Sequence, residues 1–221
     1  MTAPDDAPAA RPRVFGTPDS VYVRIVRLTL IEKGVDHELV PVDPFAPEGL
    51  PPGYRERHPF GRIPAFEHDG FRLYETGAIT RYVNEALAGP PLLPDDARAR
   101  ARANQIISIA DSYAYRALVW GVYVERVEKP AHGEPSDEAR LVGALDEARL
   151  CLAAIEALMA GAPFLAGPQL SLADLHLAPM IDYVRQAPEG AALLAAHPGL
   201  AAWWAHMAAR PSLQQLGLAA R

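Results

Sequence analysis

Before residue 95 the apolar residues of this chain recur at both strand and helix periods, and beyond it almost every segment reads as helix. Before it, Val14 and Phe15 read as a strand stopped by the breaker set Gly16-Thr17-Pro18-Asp19-Ser20. From Val21 onward, Val23, Val26, Leu30 and Ile31 lie about a turn apart, which predicts an amphipathic helix with Gly34 at its C-terminal cap. Glu38-Leu-Val-Pro-Val42 predicts a second strand. A Pro- and Gly-rich loop through the 50s then leads to two alternating segments on either side of Asp69-Gly70, a hairpin signal spanning Pro64 to Tyr74. Thr76 to Ala88 carries Ile79, Tyr82, Val83 and Leu87 on one helical face. The order β-α-β followed by β-β-α predicts a compact mixed sheet with helices packed on it.

Fourteen of the 22 prolines precede residue 95 and none lies between Asp95 and Lys129, so two architectures follow one another. Gly89-Pro-Pro-Leu-Leu-Pro-Asp-Asp96 continues neither element and reads as a linker. Beyond it helices are predicted at about 95–129, 136–160, 171–187 and 199–209. The first would be roughly 50 Å long if straight, with Gly121 as the place to bend. The expected organisation is a tail at 1–12 with almost nothing to bury, an α/β domain at 13–88, a linker at 89–96 and an all-helical domain at 97–221. No internal repeat is found.

Composition narrows the class of function. The 221 residues are 50% hydrophobic and 22% charged, a globular balance. Lys+Arg 21 against Asp+Glu 27 leaves −6, which gives no general electrostatic reason to hold nucleic acid. Cys151 is the only cysteine, so neither an intrachain disulfide nor a Cys-based zinc site can form. The seven histidines show no ligand spacing, and no metal is expected. No apolar run approaches the roughly 20 residues that span a bilayer. The acidic, proline-rich N-terminus is the opposite of a basic leader, so the expectation is a cytoplasmic protein.

Three places could carry chemistry. Ser20 follows a strand and a short loop and precedes an amphipathic helix, which puts its hydroxyl at a positive helix end. It is either a plain N-cap or a ligand for an anion. Ile63-Pro64, just before the hairpin, is either an ordinary trans bond or a cis bond that turns the Ile63 backbone outward to pair with an extended peptide. Glu75-Thr76-Gly77 opens the helix after the hairpin; it is either another cap, or N–H groups and a hydroxyl for a carboxylate beside an acid for an ammonium group.

What connects the three is a resemblance to the soluble glutathione transferases over about residues 13–212. Val14-Phe-Gly-Thr-Pro-Asp-Ser20, with Arg24 and Val26, resembles the serine-type active-site turn of the plant phi-like and related bacterial forms. His58-Pro-Phe-Gly-Arg-Ile-Pro-Ala-Phe66 is similar to the family's Asn-Pro-Phe-Gly-x-Val-Pro-Ala motif, and Glu75-Thr-Gly-Ala-Ile-Thr-Arg-Tyr82 to its Glu-Ser-x-Ala-Ile-x-x-Tyr. Gly167-Pro-Gln-Leu-Ser-Leu-Ala-Asp174 resembles its folding motif. His197-Pro with Trp203, Trp204 and Arg210-Pro-Ser follows its closing pattern. The resemblance implies a thioredoxin-like N-terminal domain, an all-α C-terminal domain, a homodimer, and glutathione as co-substrate. It makes Ser20 catalytic, by a hydrogen bond to the glutathione sulfur. Asp19, Arg62, Ile63, Glu75 and Thr76 become glutathione-binding, with Ile63 on the cysteinyl backbone and Glu75 and Thr76 at the γ-glutamyl end. The implied reaction is attack of the thiolate on a small hydrophobic electrophile. A glutathione-dependent lyase, dehalogenase or isomerase on the same site, and a non-catalytic dimeric binding protein, are the alternatives.

The chain departs from the family at Gly49 and Leu50, where serine-type relatives place a His-Lys pair for the glycyl carboxylate, and at His58, where Asn is usual. Either Arg55, Arg57 or another cation substitutes, or glutathione binds weakly. Ser171 and Asp174 read as a helix start, Cys151 as a core thiol, and Glu125 with Lys129 as a surface pair. Tyr113, Tyr115, Trp120 and Tyr123 are expected at core, dimer or ligand contacts that the sequence does not separate.

Overall fold

The computed structural model describes residues 11–219. Most of the predicted tail, residues 1–10, lies outside them. Arg11 and Pro12 belong to the sheet margin: the Pro12 carbonyl accepts from the Glu38 amide at 2.9 Å, and Arg11 pairs with Asp36 at 3.0 Å. The chain divides into two compact units, Met1–Gly89 and Pro90–Arg221.

The first unit is built on four short strands, β1 (Arg13–Gly16), β2 (Glu38–Pro41), β3 (Ala65–His68) and β4 (Phe71–Tyr74), in the spatial order β2-β1-β3-β4. β1 runs parallel to β2 and antiparallel to β3, which pairs antiparallel with β4. Two helices, α1 (Val21–Glu32) and α2 (Thr76–Ala86), complete the β-α-β and β-β-α order. This is the thioredoxin-like arrangement that the resemblance implies.

Alternation along each strand divides the sheet into two chemically different faces. Val14 and Phe66 point to one and pack with Val23, Val26 and Leu30 of α1 and Ile79 and Val83 of α2, all fully buried or nearly so. Each such side chain contributes roughly 2 kcal/mol, so this face holds the unit together. Phe15 and Ala65 point the other way, where Val42 and Tyr54 cover them.

Local signals place the turns. Asp69 (φ 48°) and Gly70 (φ 77°) both adopt the positive φ that a tight two-residue hairpin requires, so the strands resume at once. Gly34 closes α1 at φ 71°, with its own amide on the Ile31 carbonyl and the Val35 amide on that of Leu30. Buried Lys33 then donates through Nζ to the carbonyls of Asn84 (3.1 Å) and Gly89 (3.2 Å), tying the end of α1 to that of α2.

The second unit is helical. α3 (Ala97–Ile109) starts at Asp96, whose carboxylate accepts from the Arg98 and Ala99 amides. The sequence predicts one helix to residue 129 that bends at Gly121, and the structure corrects this. From Ala110 to Ala114 and from Arg116 to Glu128 the backbone widens to i→i+5 bonding, before a last turn α4 (Lys129–Ala131). Gly121 serves close approach instead: a Cβ there would lie 2.3 Å from that of Ala144 on α5 (Glu138–Met159). Central helix α6 (Leu172–Val184) is buried at every residue. After it come α7 (Pro188–Ala195), α8 (Pro198–Ala208) and α9 (Pro211–Gln215), of which the sequence predicts only α8. Pro188, Pro198 and Pro211 each occupy the first helical position, where a missing N–H costs nothing.

Two buried carboxylates organise this unit. Asp174 accepts from the Leu165 amide (2.8 Å), the Ser171 amide and hydroxyl (2.8 Å each) and Trp203 Nε1 (2.9 Å), so the helix-start pair also gathers two distant segments. Glu125 is fully buried rather than a surface partner of Lys129, and also holds Arg140 and the Asp137 amide. Burial pushes the Glu125 carboxyl up, but Lys129, the Asp137 amide and Arg140 outweigh it, and the group titrates below the usual carboxylate range. Cys151 is buried, with its thiol pushed up by desolvation. Among the described residues no helix is long and apolar enough to cross a membrane.

Candidate functional site

Strand register brings the three candidate segments to one end of the sheet. Phe15 pairs with Ala65 and Ala65 with Tyr74. The chain leaving β1 toward Ser20, the Ile63-Pro64 step entering β3, and Glu75-Thr76 leaving β4 are therefore neighbours. Gly16 makes the approach possible: a Cβ on it would sit 3.2 Å from Ile63 Cβ and 2.4 Å from Val23 Cγ2. The Ile63-Pro64 peptide is cis.

Ser20 is the N-cap of α1, in extended backbone (φ −65°, ψ 127°). Its Oγ accepts from the Val23 amide at 3.5 Å, a long contact that makes a weak cap. A hydroxyl has one proton and two lone pairs, so a serine that accepts from its own helix can still donate outward. Arg24 positions this turn and was not singled out for that role by the sequence. It is 7% exposed, and it donates through Nε to the Pro18 carbonyl (2.9 Å) and through Nη2 to Asp19 Oδ1 (3.2 Å). Asp19 is itself exposed, its carboxylate engaged with Arg24. Beyond its place in the resemblance at the Ser20 turn, the local signal was an arginine four residues into an otherwise apolar helix face.

Glu75 is exposed and sits at φ 69°, ψ 113°, a conformation that non-glycine residues seldom adopt. Its carbonyl accepts from the Ala78 and Ile79 amides, which starts α2, and Thr76 is buried as the first residue of that helix. The amide ends of two helices thus lie at one end of the sheet, with the exposed Glu75 beside them. Arg62 is exposed, and its carbonyl is fixed by Tyr54 Oη at 2.8 Å. Burial pushes the Tyr54 phenol up to about 12, so it acts as a neutral donor.

Beneath the site lies His58, 3% exposed, its ring 5.0 Å from that of Tyr74 and 6.2 Å from that of Phe60. Desolvation holds its pKa below the usual value, with Glu75 pulling it up and Arg62 down. It is neutral at pH 7 and packs as an aromatic. Of the cations proposed to replace the missing His-Lys pair, Arg57 is committed elsewhere: it binds Glu67 and lies over the Phe15 ring at 4.6 Å. Arg55 is exposed and donates to the Pro59 carbonyl. Its guanidinium and the Leu50 side chain flank Gly61, where a Cβ would meet them at 3.1 and 2.8 Å. Among the described residues no group of His, Cys, Asp or Glu could hold a metal ion.

Residues 14–91 match the family model for the N-terminal domain of glutathione S-transferases, and residues 126–211 that for the C-terminal domain. Glutathione S-transferase F6 of Arabidopsis thaliana is 34% identical over 210 residues, covering 92% of this chain and 98% of that protein. The structure of glutathione transferase F7 from Populus trichocarpa aligns with a TM-score of 0.82 at 30% identity, over 93% of this chain and 97% of that one. Glutathione S-transferase I from maize, solved with an atrazine glutathione conjugate, aligns at 0.79 and 27% identity, over 94% and 96%. With both halves matched in order and relatives aligned almost end to end, the chain belongs to the glutathione S-transferase family.

Proposed function

We propose that the end of the sheet in the thioredoxin-like unit, about residues 13–88, binds glutathione, and that Ser20 activates its thiol. The protein is a transferase that joins glutathione to a small hydrophobic electrophile. A free thiol of pKa about 8.5 is mostly protonated at neutral pH, and the thiolate is the nucleophile. Lowering that pKa by about 2 units takes roughly 2.7 kcal/mol. A hydroxyl donor at a helix N-terminus is of the right size to supply it. Ser20 does this by hydrogen bonding and forms no covalent intermediate. The thiolate attacks the electrophilic carbon and a new C–S bond forms; with an aryl halide the halide departs with its bonding pair, and with an epoxide or enal the alkoxide or enolate left behind takes up a proton.

The other five residues orient the tripeptide. The Ile63 backbone pairs with the cysteinyl unit, with Arg62 beside it. The Glu75 carboxylate takes the γ-glutamyl ammonium, and the Thr76 hydroxyl and amide take the γ-glutamyl carboxylate. Asp19 acts at the site through Arg24 and the turn it fixes. Arg55 takes the glycyl carboxylate in place of the pair absent at Gly49-Leu50, since Arg57 is held by Glu67. Tyr113 and Trp120, exposed on the widened backbone at 110–128 of the second unit, suit a second copy in a homodimer.

The observation that carries the reading is the convergence of Ser20, Ile63 and Glu75-Thr76 at one sheet end. The test is calorimetric titration with glutathione, together with mass analysis of products from aryl halides, epoxides and enals. Binding with a stoichiometric conjugate is expected. Turnover without retained glutathione in the product would assign an isomerase instead. Binding with no turnover across the panel would assign a ligand carrier.

A further inference from the structure

The Ile63 backbone carries part of the proposed glutathione contact, yet the main chain around it does little to fix its direction. Among the described residues the Ile63 amide donates to nothing, and the backbone of Arg62 and Ile63 takes part in a single hydrogen bond, from Tyr54 Oη to the Arg62 carbonyl at 2.8 Å. Ile63 is half-buried, and an amide in that position is satisfied by water or by a ligand. Its side chain touches the apolar clusters on both faces of the sheet, which locates its Cα but leaves the peptide plane before it to be set by something else.

Tyr54 is built to hold that plane. It is 4% exposed, it opens a single 3₁₀ turn at Tyr54–Glu56, and it packs with Phe15, Val42 and Ala65. Its amide donates to the Pro51 carbonyl (3.0 Å), and its own carbonyl accepts from the amides of Arg57 (2.8 Å) and His58 (3.1 Å). Ring and backbone are thus anchored separately, and only two side-chain torsions remain to move the hydroxyl. Burial pushes the phenol up to about 12, so the donor persists throughout the range in which a thiol becomes a thiolate.

The Arg62-Ile63 peptide is trans, so its C=O and N–H point in opposite directions across one rigid plane. A buried hydroxyl that holds the carbonyl inward turns the Ile63 N–H outward, away from Tyr54. We propose that Tyr54 is a positioning residue for the glutathione site, its hydroxyl setting the Arg62-Ile63 plane so that the Ile63 amide meets the cysteinyl carbonyl of glutathione. This role rests on the glutathione reading given above. Tyr54 touches no substrate atom and acts by pre-orientation. Without the hydroxyl the plane can turn, and the binding orientation has to be selected from several at a cost in affinity. The amide contact is made in the ground state and the transition state alike, so its loss falls on KM and spares kcat.

The experiment sets Tyr54→Phe, which keeps the ring and deletes only the hydroxyl, against the wild-type protein. Calorimetry gives Kd for glutathione and for γ-glutamylcysteamine, a thiol with the γ-glutamyl end but no cysteinyl carbonyl, while circular dichroism and the melting temperature follow the fold. Tyr54→Phe should bind glutathione about five- to tenfold more weakly and γ-glutamylcysteamine as the wild type does. With 1-chloro-2,4-dinitrobenzene as electrophile, KM for glutathione should rise by the same factor and kcat stay within about twofold. Unchanged affinity for glutathione overturns the proposal, and so does an equal loss with both thiols. Should the truncated thiol bind neither protein, the kinetics decide, and a fall in kcat with KM unchanged overturns it. Absence of glutathione binding by the wild type at about 10 mM would overturn the glutathione reading together with this role, whereas wild-type binding that Tyr54→Phe leaves intact overturns this role alone.

Discussion

Ser20 carries two roles that substitution can separate. Its Oγ caps α1, and in the proposed mechanism its proton is donated to the glutathione sulfur. The cap bond is 3.5 Å long, so its loss in Ser20→Ala belongs at the low end of the capping range, about 0.5 kcal/mol. Glycine is a good cap without a side chain, and Ser20→Gly should cost only a few tenths of a kcal/mol. A hydrogen bond to a charged group is worth about 1.5–3 kcal/mol. Both variants should therefore raise the pKa of bound thiol by about 1–2 units, and lower kcat/KM at pH 7 about 10- to 100-fold. The assay is kcat/KM for an aryl halide from pH 5.5 to 9, with the thiolate absorbance of bound glutathione and the melting temperature of each protein. Activity should recover toward the wild-type value as pH rises past the free-thiol pKa. Equal catalytic loss in the two variants with unequal stability would assign the chemistry to the hydroxyl. A pH profile that stays in place while stability falls would make Ser20 a cap and nothing more.

The other expectations are shorter. Arg55→Ala should raise KM for glutathione about fivefold with kcat unchanged, the size of one exposed ion pair of about 1 kcal/mol, and an unchanged KM would remove Arg55 from the site. Asp174→Asn keeps the shape but sets an NH₂ group against at least one of four donors, so it should cost about 3–5 kcal/mol and lower the melting temperature by roughly 10 °C. The folded-state pKa of Glu125 is depressed, so its contribution to stability is present above the ordinary value of 4.5 and is lost as pH falls through the lower folded value. Glu125→Gln should start less stable at pH 6 and lose less than wild type in urea titrations taken down to pH 3. Gly121→Ala sets two methyl groups 2.3 Å apart. Overpacking of about 1–3 kcal/mol should exceed the helix-propensity gain of up to about 1 kcal/mol, and Ala144→Gly should restore stability in the double variant.

Turn chemistry was legible because single residues impose it. Asp69-Gly70 and Gly34 announce positive φ, and both turns stand where the sequence puts them. The convergence at the sheet end was legible only through the ordered motifs, because no local pattern says that Ser20, Ile63 and Glu75 meet there; register decides that. Glu75 itself adopts a positive φ that its side chain does not advertise. The widened backbone at 110–128 escaped notice for a related reason: apolar spacing near 3.6 is compatible with both bonding patterns, and Gly121 looked like a hinge when it is a contact point with Ala144. Arg24, Tyr54 and Glu67 were missed as organisers because each works through a partner distant in sequence or through a backbone carbonyl, which periodicity does not record.

The sheet is open, with β2 and β4 each paired on one side only, and an open edge is a template for another chain. Here it is short and poorly suited to that use. β2 offers four residues, ends in Pro41 without an amide proton, and begins with the charged side chain of Glu38. β4 is equally short and presents Arg72. Such edges resist strand addition between molecules, so the chain can be held at high concentration with little tendency to assemble into fibres, and side chains rather than backbone pairing would have to join one copy to another.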